Sequence, residues 1–120
     1  MSKTVKVPFL NIFTIAGQAV DKPYQINRDG HVRCSFFNVA VKSYAKGRKP
    51  IATIVGVICR EDIAEAVNRR LEAGDAVIVA GSLQNHERKT GSGAVTELEV
   101  AAANIQFLTS KDGSLDDSAG

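Results

Sequence analysis

Residues 60–75 read REDIAEAVNRRLEAGD, and here the apolar period of the chain changes. Ile63, Ala64, Val67 and Leu71 recur at helical steps, so they share one face of a helix. Glu61 and Asp62 fall in its first turn and Arg69 and Arg70 near its end, the placement a helix dipole favours. Gly74 is a natural stop. The stretch predicts one helix set between segments of a different period.

Upstream, residues 8–20 (PFLNIFTIAGQAV) are rich in Phe, Ile and Leu, with Gly17 marking a kink or bulge in a first strand. DKPYQINRDGH follows with Pro23 and Asp29-Gly30, the chemistry of a loop or hairpin connection. VRCSFFNVAVKSY reads as a second strand, in which Phe37, Val39 and Val41 alternate with Asn38, Ala40 and Lys42. The loop AKGRKP leads to a third, IATIVGVIC. Downstream of the helix, DAVIVAGSLQN is a fourth strand, HERKTGSGA a flexible glycine-bearing loop, and VTELEVAAANIQFL a fifth strand.

The order is therefore β-β-β-α-β-β, that of an all-β domain with one helix. A five-stranded Greek-key OB-fold barrel, plugged at one end by its helix, has this order. An unrelated five-stranded α+β sandwich shares it. Residues 1–108 form the expected domain; residues 109–120, TSKDGSLDDSAG, are polar and small and read as a fraying tail.

At 120 residues and 44% apolar, the chain suits one domain with its own core. It has no apolar run of the roughly 18 residues a membrane helix needs, and MSKTVKVPFLN lacks a signal-type apolar region. The expectation is a cytoplasmic protein. Cys34 and Cys59 lie inside apolar runs and read as buried thiols, with nothing calling for a disulfide. Net charge is only +2, but residues 1–60 hold ten of the 15 Lys/Arg and two of the 13 acids. If that basic half shares a face, it makes an anion-seeking surface; the alternative is a solvated sheet that uses lysine.

FFNVAVKSY resembles the second strand of bacterial single-stranded DNA-binding proteins. IAEAVNRRLEAGDAVIVAGSL is similar to their helix, turn and following strand, and LEVAAANIQFL to their closing strand. The resemblance covers residues 9–108 and marks a divergent member. It implies an OB-fold that binds single-stranded DNA without sequence preference in replication, recombination or repair, as a homo-oligomer, either dimer or tetramer. Such binding combines a basic groove along the phosphates with aromatic rings on which bases stack.

Tyr44 falls where the resemblance places a first stacking ring. Ile54, Arg60 and Arg88 stand at further family aromatic positions, and the chain has no tryptophan. An arginine plane stacks on a base and pairs with phosphate, so Arg60 and Arg88 are candidates. The alternative for both is a solvated charge. Lys42 shares strand parity with Tyr44, and Lys46, Arg48 and Lys49 crowd a hairpin tip at Gly47. Lys89, beside Arg88, is another phosphate contact. Phe36 shares the parity of Lys42 and Tyr44 and is a candidate second ring, although packing under the helix or in a subunit interface is preferred for it.

No catalytic constellation appears. His31 and His86 lack metal-ligand spacing, GSGAVT is no phosphate loop, and the carboxylates of the last strand read as a solvated face. No enzyme activity, metal or cofactor is expected. Asp116 and Asp117 are followed by Ser118, Ala119 and Gly120, without the terminal Pro-Phe of the family tip, which argues against partner recruitment there. Two alternatives share the barrel: an interaction module of the primosomal replication protein N type with reduced DNA binding, and an RNA-binding OB-fold.

Overall fold

The computed structural model describes residues 10–44 and 46–108, apart from the side chains of Arg28 and Val32. The elements are β1 (Phe13–Ala19), β2 (Tyr24–Arg28), β3 (His31–Ser43), β4 (Ile51–Arg60), α1 (Glu61–Arg70), β5 (Ala76–Thr90) and β6 (Gly93–Phe107). Their spatial order is β1-β5-β6-β4-β3-β2, and β1 also pairs with β3 through Gln18↔Ala40 and Ala19↔Val39. That second pairing closes five strands into a barrel and leaves β2 as an outer extension of β3. The architecture is the expected all-β OB-fold with one helix. The tail reading for residues 109–120 and the first strand's start before residue 10 lie outside the described residues.

Closure depends on Gly17. Residues 13–18 of β1 pair with β5, and the strand then transfers to β3. A Cβ on Gly17 would sit 2.2 Å from the Ala40 carbonyl oxygen, so only glycine lets the backbones approach this closely.

The alternation along β3 sends Ser35, Phe37 and Val39 inward, where they are fully or almost fully buried. They meet Val57 and Cys59 of β4, Val77 and Val79 of β5, and Val100 of β6. Ala64, Val67 and Leu71 cover this core from the helix side, as their spacing requires. The helix ends at Arg70, short of Gly74. Gly74 instead turns the chain at φ 92°, and its N–H donates to the Ala19 carbonyl at 2.8 Å. The Ser35 hydroxyl lies 2.7 Å from Asn68 Oδ1 and 3.2 Å from the Ala64 carbonyl, fastening α1 to β3. Asn68 Nδ2 in turn donates to Gln25 Oε1, which ties β2 to the same helix.

Two segments differ from the sequence reading. The connection DKPYQINRDGH contains a sixth strand, β2, hairpinned to β3 through Asp29 and Gly30. Both have positive φ (54° and 76°), the requirement of a two-residue turn matched to strand twist. HERKTGSGA is not a flexible loop: β5 and β6 stay paired out to Thr90↔Gly93, forming a hairpin arm beyond the barrel. Its residues 85–89 are exposed, so no buried face printed an alternation there.

Candidate nucleic-acid interface

The ladders fix which residues share the outward face. Even-numbered residues of β3 and β4 point away from the core, opposite Phe37, Val39, Val57 and Cys59. One transverse row on this face is Asn38, Gly56, Glu99 and Gln84, in direct register across β3, β4, β6 and β5. A neighbouring row begins Tyr24, Phe36, Ile58 and Ala101.

Eight of the nine sequence candidates fall on this side or at its rim, six of them along β3, β4 and their turn besides Phe36 and Arg88. Tyr44 is 75% exposed just beyond the end of β3, with exposed Lys42 two residues before it. Lys46, Arg48 and Lys49 are exposed in the turn between β3 and β4, where Gly47 takes φ 77°. Arg60 lies in register with Cys34 at the opposite end of the β3–β4 ribbon, roughly 30 Å from Tyr44 at ~3.3 Å per residue. The two therefore lie at opposite ends of the face.

Phe36 does not pack under the helix. The helix contacts the Ser35 side, whereas the Phe36 ring lies over Gly56 on the outward face, where a Cβ would come within 2.9 Å of Cζ. Arg88 shares the outward parity, but its Nη2 and Nε both donate to Glu97 Oε1, at 2.7 and 3.1 Å. Lys89 has the opposite parity and projects from the other side of the arm. The structure therefore separates Lys89 from the remaining candidates.

Two residues on this face escaped the sequence reading. Tyr24, 70% exposed on β2, stands directly opposite Phe36 in the ladder. The signal for it was Asp29-Gly30 flanked by alternating Tyr24 and Ile26. Glu99 is the second: the reading placed the carboxylates of this strand on a solvated face, but Glu99 is only 4% exposed. Gln84 Nε2 donates to its Oε1 at 2.7 Å, and His86 Nδ1 lies 3.8 Å from Oε2.

The parallel pairing of β4 and β6 covers only Gly56–Ile58 against Glu99–Ala101. Before those residues each strand continues into its own hairpin, β3–β4 or β5–β6. Between the two arms lies a cleft of about 270 Å³, lined by Phe36, Asn38 and Ile54 on one side and His86, Glu97 and Leu98 on the other. The family position Ile54 thus faces the cleft and is 56% exposed. Among the described residues, no three His, Cys, Asp or Glu side chains converge as a metal site.

Cys34 and Cys59 stand on opposite faces of adjacent strands, so they do not face each other as disulfide partners. Cys59 is the buried thiol expected; Cys34 is only half-buried. Burial, with a smaller contribution from charge on Cys34, pushes the Cys59 thiol up to about 12.

No family model matches the chain, and no curated protein matches it in sequence. Solved structures match its fold. An SSB from Plasmodium falciparum, in complex with ssDNA, is similar over 87% of this chain and 99% of that one, with a TM-score of 0.74 and 19% identity. The small single-stranded DNA-binding protein from Streptomyces coelicolor is similar over 91% and 96%, with a TM-score of 0.64 and 18% identity. At these identities the likeness concerns architecture, and this chain has the OB-fold seen in single-stranded DNA-binding proteins.

Proposed function

We propose that this protein binds single-stranded DNA, without catalysis, on the outward face of β2, β3 and β4 and in the cleft between the arms. The observation that carries the reading is the shared face: Tyr24, Phe36 and Tyr44 provide rings, with Lys42 and Arg60 between and beside them. Stacking on such rings accepts any base, and the cations pair with phosphate. The similarity to an SSB solved with ssDNA supports the same reading. Roles in replication, recombination or repair and a cytoplasmic, nucleoid-associated setting follow from that activity. A homo-oligomer fits the exposed Leu10 and Ile12 beside β1, and light scattering tests it.

The direct experiment titrates labelled mixed-sequence single strands, matched duplex and matched RNA over a range of salt. Preference for single-stranded DNA is expected. With three to five phosphates neutralised, log K should fall with log salt at a slope of about −2 to −3.5. Equal weak binding to duplex would reduce the surface to general cation attraction, and tighter binding to RNA would reassign the ligand.

A further inference from the structure

Among the described residues, Glu99 Oε2 is the buried side-chain oxygen without a hydrogen-bond partner. A carboxylate taken out of water and left half-satisfied is costly, and such a group calls for a ligand or a role. His86 Nδ1 stands 3.8 Å from Oε2, beyond hydrogen-bond reach. The His86 side chain is 48% exposed and that of Glu99 5%, so the imidazole stands between Oε2 and solvent with room to turn. Arg88 and Glu97, the other charged groups on this side of the arm, are engaged with each other at 2.7 Å.

The rest of the cleft has the parts of a base pocket. Phe36 gives a flat ring over Gly56, Asn38 gives a neutral amide beside it, and Ile54 gives an apolar wall. Resting on the single-strand reading above, we infer that this cleft is a base subsite that favours cytosine, an amino-bearing pyrimidine, over uracil and thymine. The N4 amino group donates to Glu99 Oε2 once His86 turns aside, the pairing of acid with cytosine known from base edges in general. Phe36 stacks on the ring, and Asn38 meets its other edge. Uracil and thymine carry a carbonyl oxygen at position 4, which sets two acceptors against each other there, and their one donor, N3–H, lies a ring position away from the amino group it would have to replace. Phosphate is excluded from the cleft for the same reason, so bases point inward here and the backbone runs toward Lys42 and the β3–β4 tip.

The test compares oligo-dC with oligo-dU of equal length, strands whose bases differ only at ring positions 3 and 4, using the full chain and Glu99→Gln. Tighter binding to dC by about fivefold to tenfold is expected, with the difference lost in Glu99→Gln. Equal binding of dC and dU, or a dC preference that Glu99→Gln leaves intact, overturns the subsite while single-strand binding stands. A change confined to melting temperature would make Glu99 and His86 a structural pair only, and also overturns it. Failure to bind either oligomer or a mixed-sequence strand overturns both readings together. His86→Ala is the second variant: it removes the imidazole beside Oε2 and should retain or enlarge the dC preference, whereas loss of that preference with single-strand binding intact overturns the subsite.

Discussion

Tyr24 and Phe36 stand directly opposite one another across the β2–β3 ladder, with both side chains on the outward face of the sheet. The pair forms where a short strand, held to the helix by the Gln25–Asn68–Ser35 chain, extends the barrel sideways. It supplies a second aromatic region far along β3 from Tyr44.

Tyr24→Ala and Tyr44→Ala should each weaken binding of single strands by about 1–3 kcal/mol. Their effects should add, because the two rings share no neighbours. The chain has two tyrosines and no tryptophan, so Tyr44→Phe leaves Tyr24 as the tyrosine fluorophore. Quenching of its emission on titration with DNA reports stacking at β2; unchanged emission with intact affinity would remove Tyr24 from the interface.

Glu97→Gln should release Arg88. The pair is half-exposed, so the variant should lose no more than about 1 kcal/mol of stability. Binding should tighten at low salt, and the salt slope should steepen by about 0.7 for one added phosphate contact. An unchanged slope would leave Arg88 as a purely structural arm residue.

Gly17→Ala should strain the barrel at its closure. The new Cβ meets a backbone carbonyl that cannot swing aside, and overpacking of this kind costs about 1–3 kcal/mol or more. Thermal unfolding should show the loss, whereas Gly91→Ala, which meets nothing within 4 Å, should leave stability nearly unchanged.

The thiols should differ in reactivity. Cys34 should be alkylated in the native protein and Cys59 only after denaturation, which mass spectrometry distinguishes. Because Cys59 has its pKa raised from 9.0 to about 12, the unfolded chain releases that proton first. The stabilisation is complete below pH 9 and falls as pH rises toward 12, so Cys59→Ala should flatten the alkaline limb of stability against pH.

Legibility in the sequence followed burial. The helix over 60–75 and the strands carrying Phe37, Val57 and Val77 printed their periods because one face of each is packed. The β5–β6 arm has no such face, so HERKT resembled a loop although each of its residues is in register with one of β6. β2 was hidden for a related reason: Tyr24 and Ile26 alternate, but both are exposed and the strand is short. Tyr44, Lys42 and Arg60 were named as candidates from pattern and resemblance, while Arg88 was named without its acid partner, which lies on another strand.

By itself the sequence determined the order of the five barrel strands and the helix, the inward parity of β3 and β4, and the concentration of cations in the first half. Each depends on neighbours in the chain, whose side-chain directions follow from local geometry. Tertiary structure alone decided that Tyr24 stands opposite Phe36, that Gly56 makes room for that ring, and that Glu99 is buried under the cleft. These relationships are set by register between distant strands. A shift of one residue would turn each side chain to the opposite face, and only the packed barrel fixes that register.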